Sequence, residues 1–376
     1  MTQPINIAII AGQLVVGGAE RQLYLWLANL DRTKFNPVVI TLHPGHGDYW
    51  EKPIEDLGIP LFPVYQNKNR LSRLLQIIKI LRPVKPQLIH GWHMFSGAYA
   101  ALAARLLGAK SIAGIRSSFQ AIKGSPETSL VRWFCDALVV NSKTAAESYR
   151  TEYKAFHQKI YLVQNAVVPG FDQRSNVRLE LVDRFAIPSD MIWLASIGRM
   201  DPLKCFDSLI KACALLEKQQ ISFHLLLIGD GPERSNLESV AKDLGLSQYV
   251  TFTGEVPFAS DWMRAFDIFC FPSLAEGMPN VILEAAAAGL PIIAWDLPFN
   301  REILPKHNMA CLLPPGDYPA LAEKLKELIQ DGSQRASLGK LASAFILTNH
   351  DLAKYVTDLT AVYQEILNLN PPLKSL

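Results

Sequence analysis

The sequence predicts an α/β protein built from two doubly wound parallel-sheet units in tandem, and three observations carry that expectation. Short apolar runs alternate with helical patterns along almost the whole chain, as strands do when crossover helices return each one to the same sheet. A glycine-bearing loop follows the first run of each half, after Ala11 and again after Ile197. The 376 residues exceed the usual span of one domain, and 49% hydrophobic against 19% charged residues is enough for two cores.

Ile5–Ala11 is expected as the first strand, feeding Gly12 and then Gly17-Gly18-Ala19-Glu20; Leu23, Trp26, Leu27 and Leu30 then mark an amphipathic helix. Glycines let a backbone approach a phosphate, and a helix N-terminus favours negative charge. The spacing is not G-x-G-x-x-G, so a merely tight turn reads equally well. Further strands are expected at Val38–Leu42, Leu61–Val64, Leu88–Gly91, Ser111–Ile115, Ala137–Asn141 and Ile160–Val163, with helices at Leu71–Leu81 and Gly97–Leu107. Arg70, Arg73, Lys79, Arg82 and Lys85 surround Leu74, Leu75, Ile77, Ile78 and Leu81. A helix lying on a membrane surface has this pattern, and so does a plain surface helix. The Leu88–Gly91 strand delivers His90, Trp92 and His93 to its carboxyl end, where histidines face the ligand side and titrate near neutrality. A structural histidine would also fit. Arg116 follows the next strand and is suited to meeting a phosphate.

Residues 172–190 are polar and read as irregular. Ile192–Ile197 then opens the second series and ends in Gly198-Arg199-Met200-Asp201-Pro202-Leu203-Lys204. Arg199 and Lys204 at a strand mouth can clamp a diphosphate, Arg by paired hydrogen bonds and Lys as a point charge; both can also simply face solvent. His224–Gly229 leads into Gly229-Asp230-Gly231, and Tyr249–Gly254 into Glu255-Val256. The stretch from Asp267 to Ile303 reads strand, loop, helix, strand, with Pro279 at the front of the helix and Gly289 just past its end. It holds Glu276 and Glu284 with seven residues between them. Eight helical steps separate two groups by roughly 12 Å, too far to act across one bond but suited to gripping an elongated ligand at two points. Two solvated surface charges are the plainer reading. From Leu312 onward the chain is mostly helical, and Leu352, Val356, Leu359, Tyr363 and Ile366 form an apolar stripe.

Glu276-Gly277-Met278-Pro279-Asn280 through Glu284 resembles the E-x7-E signature of retaining nucleotide-sugar glycosyltransferases of family four, the group 1 glycosyltransferases. Gly198-Arg199 with Lys204 is similar to that family's G-R-x-x-x-x-K, although Cys205 replaces the usual Gly. Asn165-Ala166-Val167 resembles its P-N-G-V-D segment, with Ala166 in place of Gly. The resemblance implies the GT-B architecture, two Rossmann-like domains with an inter-domain cleft: residues 1–170 for the acceptor, 171–190 as linker, 191–350 for the nucleotide sugar, and 351–376 returning to the first domain. It implies a retaining transferase moving a sugar from a nucleotide-diphosphate sugar, such as a UDP- or GDP-sugar, to a glycan, lipid-linked or small-molecule acceptor. Glu276, Arg199, Lys204 and His93 would be catalytic. Gly17, Gly18, Gly229, Gly254, Glu255, Val256, Gly277, Met278, Pro279, Asn280 and Glu284 would join Arg199, Lys204 and Glu276 in holding the donor. His90, Trp92, His93 and Arg116 would meet the acceptor, and Glu302 would be the last acidic residue of the cleft. No metal or other cofactor is expected, the two cations standing in for one.

A sugar-nucleotide epimerase on the same fold, or a binding protein without catalysis, are the alternatives. The five cysteines lack any C-x-x-C pairing, which suits a reduced cytoplasmic interior. No signal peptide or membrane span is expected. Net charge is +2, but residues 1–165 carry 19 Lys/Arg against 10 Asp/Glu, and the remainder 18 against 25. A basic first half fits peripheral contact with the inner membrane face or an anionic acceptor, or ordinary surface charge. No nucleic-acid-reading motif is visible.

Overall fold

A computed structural model of the chain describes residues 3–44, 49–64, 69–119, 122–154, 157–168, 174–306 and 308–369. It divides into two compact units, Met1–Ala166 with Leu352–Leu376, and Val167–Asp351. The first residues of the expected linker, 171–173, lie outside the described residues.

In the first unit the strands are β1 (Ile5–Ala11), β2 (Phe35–Thr41), β3 (Leu61–Pro63), β4 (Leu88–Gly91), β5 (Lys110–Ile115), β6 (Ala137–Val140) and β7 (Lys159–Leu162). They pair in the order β3-β2-β1-β4-β5-β6-β7, every pair parallel. The helices are α1 (Gly18–Ala28), α2 (Glu51–Asp56), α3 (Arg70–Val84), α4 (Met94–Leu107), α5 (Pro126–Phe134) and α6 (Lys143–Glu152). A parallel sheet is covered on both faces, so its strands are apolar throughout instead of alternating. Alternate residues of β1 accordingly serve different cores: Ile7 and Ile9 pack with Leu23 and Trp26 of α1, while Ala8 and Ile10 pack with Ile77 and Leu81 of α3. Asn69 caps α3 by accepting from the amides of Leu71 and Ser72. That helix buries Ile77, Ile78 and Leu81 and leaves Leu71 and Leu75 exposed at 64% and 58%.

The second unit begins with α7 (Arg174–Phe185), where the sequence had read as irregular. Its few apolar residues are well placed: Val177 and Leu181 enter the core beside Trp193 and Phe266. Arg178 Nη1 donates to Asp267 Oδ2 at 2.9 Å and to the Ala265 carbonyl at 2.8 Å. The Arg178 guanidinium also lies 4.0 Å from the Trp193 ring centre. The strands are β8 (Ile192–Ile197), β9 (Phe223–Ile228), β10 (Val250–Gly254), β11 (Ile268–Phe271), β12 (Ile292–Trp295) and β13 (Cys311–Leu313), in the order β10-β9-β8-β11-β12-β13, again parallel. Their helices are α8 (Phe206–Lys218), α9 (Arg234–Asp243), α10 (Asn280–Ala287), α11 (Pro298–Ile303), α12 (Tyr318–Gln330) and α13 (Gly332–Asn349). The last helix, α14 (Leu352–Ile366), packs into the first unit, setting Tyr355, Leu359, Val362 and Tyr363 against its core.

Both sheets reverse their winding once, between β1 and β4 and between β8 and β11. Ligands of such sheets bind outside the carboxyl ends of the strands at that reversal.

Candidate active site

In the second unit, the loop after β8 and the loop after β11 meet at the reversal. Lys204 ends a short 3-10 turn, Pro202–Lys204, which Asp201 caps by accepting from the Leu203 amide. Its ammonium pairs with Glu276 Oε1, both side chains being about one-fifth exposed. Ser273 Oγ donates to the same carboxylate oxygen at 2.9 Å, and the Leu274 amide donates to the Leu203 carbonyl at 2.8 Å. The two strand ends are thereby stitched together by side chain and backbone. Arg199 is exposed one residue past Gly198. Cys205 holds a left-handed φ of 49°, a conformation that favours glycine, the residue that the resembled pattern would have there.

Gly229 follows β9, and its amide donates to the Gly254 carbonyl at 2.9 Å. A Cβ on Gly229 would overlap the Gly198 carbonyl, so this glycine lets the β8 and β9 loops touch. Glu255 is exposed and Val256 half-buried beyond β10. Gly277, Met278 and Pro279 are buried and lead into α10, whose N-terminus has no side-chain cap. Glu284 lies half-buried on α10, and Glu302 half-buried on α11. The structure therefore brings together Lys204, Glu276 and, unforeseen from sequence, Ser273, three residues ahead of the glutamate.

The first unit carries a second constellation, at the reversal between β1 and β4. His93 is the N-cap residue of α4. Its Nε2 lies 3.6 Å from Glu20 Oε1, with the side chains 30% and 12% exposed. Burial pushes the Glu20 carboxyl up to about 7 against the lowering effects of a backbone hydrogen bond and Arg116. Burial, with Arg116 adding to it, pulls the His93 imidazole down to about 4. Near neutrality the imidazole is therefore uncharged and the contact is not an ion pair. Glu20 is the third residue of α1 and its carboxylate folds back over Gly17, where a Cβ would overlap Oε2. Gly17 thus makes room for a side chain of its own helix.

Three acceptor assignments need correction. His90 is fully buried, with Nδ1 2.6 Å from the Tyr363 hydroxyl, and burial holds its imidazole well below the usual histidine range. Trp92 is also fully buried and donates from Nε1 to the Ala19 carbonyl at 2.8 Å. Neither presents a surface to a ligand. The Arg116 guanidinium stacks on Trp92 at 3.6 Å from the ring centre, and its Nε donates to the Trp92 carbonyl. Its Nη1 and Nη2 atoms are buried, so the guanidinium is not presented at the surface as a phosphate contact would be. The turn at Ala166 is held by Gln22, whose side chain bonds both the Ala166 amide and its carbonyl. Ala166 is not among the residues of positive φ, so the missing glycine leaves no strain.

The model of the glycosyltransferase family 4 matches residues 16–171, and that of the group 1 glycosyl transferases matches residues 192–331. The chain belongs to the group 1 glycosyltransferases, and it is a transferase. It is 27% identical over 331 residues to the lipopolysaccharide core biosynthesis glycosyltransferase LpsE of Rhizobium meliloti, covering 86% of this chain and 89% of that protein. It is 25% identical to the D-inositol 3-phosphate glycosyltransferase of Streptomyces avermitilis, over 82% of this chain and 71% of that one. Among solved structures, Anabaena Alr3699/HepE in complex with UDP and glucose superimposes with a TM-score of 0.83 at 18% identity, covering 96% of this chain and 100% of that one. The fold is thus GT-B. These relatives favour neither the epimerase nor the binding-protein alternative.

Proposed function

We propose that this chain transfers a sugar, with retention of anomeric configuration, from a nucleotide-diphosphate sugar to an acceptor glycan of the cell envelope. The observation that carries the reading is the Lys204–Glu276 pair at the β8/β11 reversal, with Arg199 exposed on the same loop as Lys204. A cation pair at that position is suited to a diphosphate, and a carboxylate beside it to sugar hydroxyls. LpsE acts in lipopolysaccharide core synthesis and HepE is a UDP complex by their own descriptions, which supports a UDP-sugar donor and an envelope acceptor here.

In the reaction, the acceptor hydroxyl oxygen forms a bond to the anomeric carbon from the face the diphosphate leaves, the bond from that carbon to the diphosphate oxygen breaks with its electron pair staying on the diphosphate, and the hydroxyl proton passes to that departing oxygen. Arg199 and Lys204 offset the charge growing on that leaving group, an electrostatic contribution aimed at the transition state. Glu276 orients the sugar through its hydroxyls, and Glu284 takes the ribose. The uncapped N-terminus of α10 favours the phosphates, while Gly229, Gly254, Glu255 and Val256 border the nucleoside. The first unit receives the acceptor. With cations supplying the charge, no metal is required.

The cytoplasm, where nucleotide sugars are made available, is the proposed compartment. No helix among the described residues is long and apolar enough to cross a membrane. Peripheral contact would come through α3, where Leu71 and Leu75 are exposed together with Lys79, Arg82 and Lys85.

The test is transfer from a panel of nucleotide sugars. Glu276→Gln should reduce turnover about a hundredfold, in line with losing one preorganised polar contact at the reacting centre, and activity should persist in EDTA. Near-normal turnover of the variant, or full loss in EDTA reversed by manganese, would contradict the assignment.

A further inference from the structure

The switch-point cavity of the first unit has a composition that the functional reading has not used. It is an open cavity of about 400 Å³ lined by Gly12, Gln13, Glu20, His43, His93 and Phe95, a size within the range of small-molecule sites. We infer that this cavity is the seat of an uncharged sugar ring, with Glu20, His93 and Gln13 meeting its hydroxyls and the Phe95/His43 rings its carbon face. The inference rests on the reading of the first unit as acceptor-binding and names the chemistry of the acceptor's terminal residue.

Glu20, whose role the chain's motifs did not announce, is the centre of the argument. Its side chain is 12% exposed and opens onto the cavity beside His93. A carboxyl group and a neutral imidazole together offer both donors and acceptors, as a polyol requires. Gln13 is exposed at the rim, its Nε2 donating to the Pro44 carbonyl at 3.1 Å, and adds its amide oxygen as an acceptor. The His43 and Phe95 ring centres lie 5.3 Å apart at 36°, a continuous aromatic wall for the less polar face of a ring. Convergent polar side chains beside an aromatic wall can fix the orientation of a small polar ligand.

The same features disfavour a phosphorylated acceptor. Two helices start here, α1 and α4, and their N-termini would ordinarily attract an anion. At α1 that place is already taken by Glu20, folded back over Gly17. Among the described lining residues there is no Lys or Arg, and the end nitrogens of Arg116 are buried. His43 and His93 are both held below the usual histidine range, chiefly by burial, so they bring no positive charge. An anion would therefore meet a carboxyl group and no cation among the described lining residues.

The experiment uses the full-length chain with UDP and GDP present in excess to occupy any nucleotide site. Methyl glycosides of glucose, galactose, mannose and N-acetylglucosamine are titrated by saturation-transfer NMR against glucose 6-phosphate, mannose 6-phosphate and inositol 1-phosphate. At least one methyl glycoside should bind, and at least fivefold more tightly than any of the phosphorylated compounds. Glu20→Ala should weaken it tenfold or more, Glu20→Gln no more than about threefold, and Gln13→Ala, at an exposed position that does not threaten folding, at least threefold. Absence of Glu20-dependent glycoside binding, or tighter Glu20-dependent binding of the phosphorylated compounds, would overturn the inference. Nucleotide binding measured in the same samples separates the two claims: if UDP or GDP still binds while no glycoside does, the inference falls and the transferase reading stands.

Discussion

The charge state of Glu20 ties structure to a measurable pH dependence. Its folded-state value of about 7 lies above the ordinary 4.5 because burial disfavours the carboxylate. A raised carboxyl contributes stability that is complete below pH 4.5 and is lost as pH rises through 7. At roughly 1.4 kcal/mol per pKa unit, the loss is on the order of 3 kcal/mol. Glu20→Gln removes the titration, so the variant should gain on the wild type by that amount between pH 4.5 and 8 in urea unfolding. His93 has the opposite sign. Its value of about 4 against the ordinary 6.5 means stability lost as pH falls from 6.5 towards 4, and His93→Gln should flatten that acid limb. Equal pH slopes for Glu20→Gln and wild type would show that the carboxyl is not buried as described. Much at this scale was beyond the sequence. Lys204 and Glu276, 72 positions apart, could be singled out because each sits in a short motif of its own, and the structure brings the two together. Choosing between His90 and His93 depends on Tyr363, 273 positions along the chain from His90, and Glu20 is met by His93, just before α4, and influenced by Arg116, just after β5, which no local pattern announces.

Among the elements, strand positions were the most legible feature, since parallel strands buried on both faces read as plain apolar runs. Their ends shifted by one to three residues; β2, for example, starts at Phe35 and not Val38. The miss was α7, whose polar composition hides an apolar pair, Val177 and Leu181, and an arginine whose partners lie 87 and 89 positions away. For α3 the sequence left two readings open, and the structure sharpens the question. Lys79, Arg82 and Lys85 are exposed on or just beyond a helix that also exposes Leu71 and Leu75. Such a helix should take the protein to vesicles containing anionic lipid, and the attraction should weaken as salt rises. Reversing the three cations to Glu should lower sedimentation with phosphatidylglycerol vesicles at least tenfold. If the wild type does not sediment with them, α3 is an ordinary solvated helix.

For the molecule as a whole, each unit places polar functional groups at its own sheet reversal, the position the winding of a doubly wound sheet provides. The second unit offers cations and carboxylates, and the first a carboxyl, imidazoles and aromatic rings. That division fits a donor bearing a diphosphate and an acceptor bearing hydroxyls. The overall architecture was legible because alternation of strand and helix runs the length of the chain, whereas the chemistry of the first cavity emerged only from its tertiary packing.

The central claim is that Arg199, Lys204 and Glu276 form one electrostatic site for a diphosphate, and calorimetric titration with UDP and GDP tests it most directly. The account predicts that Arg199→Ala combined with Lys204→Ala weakens the better-bound nucleotide at least thirtyfold. It also predicts that Glu276→Gln, by releasing Lys204 from its partner, tightens the same nucleotide while transfer falls. Unchanged affinity in the double variant, with the protein still folded, would contradict it.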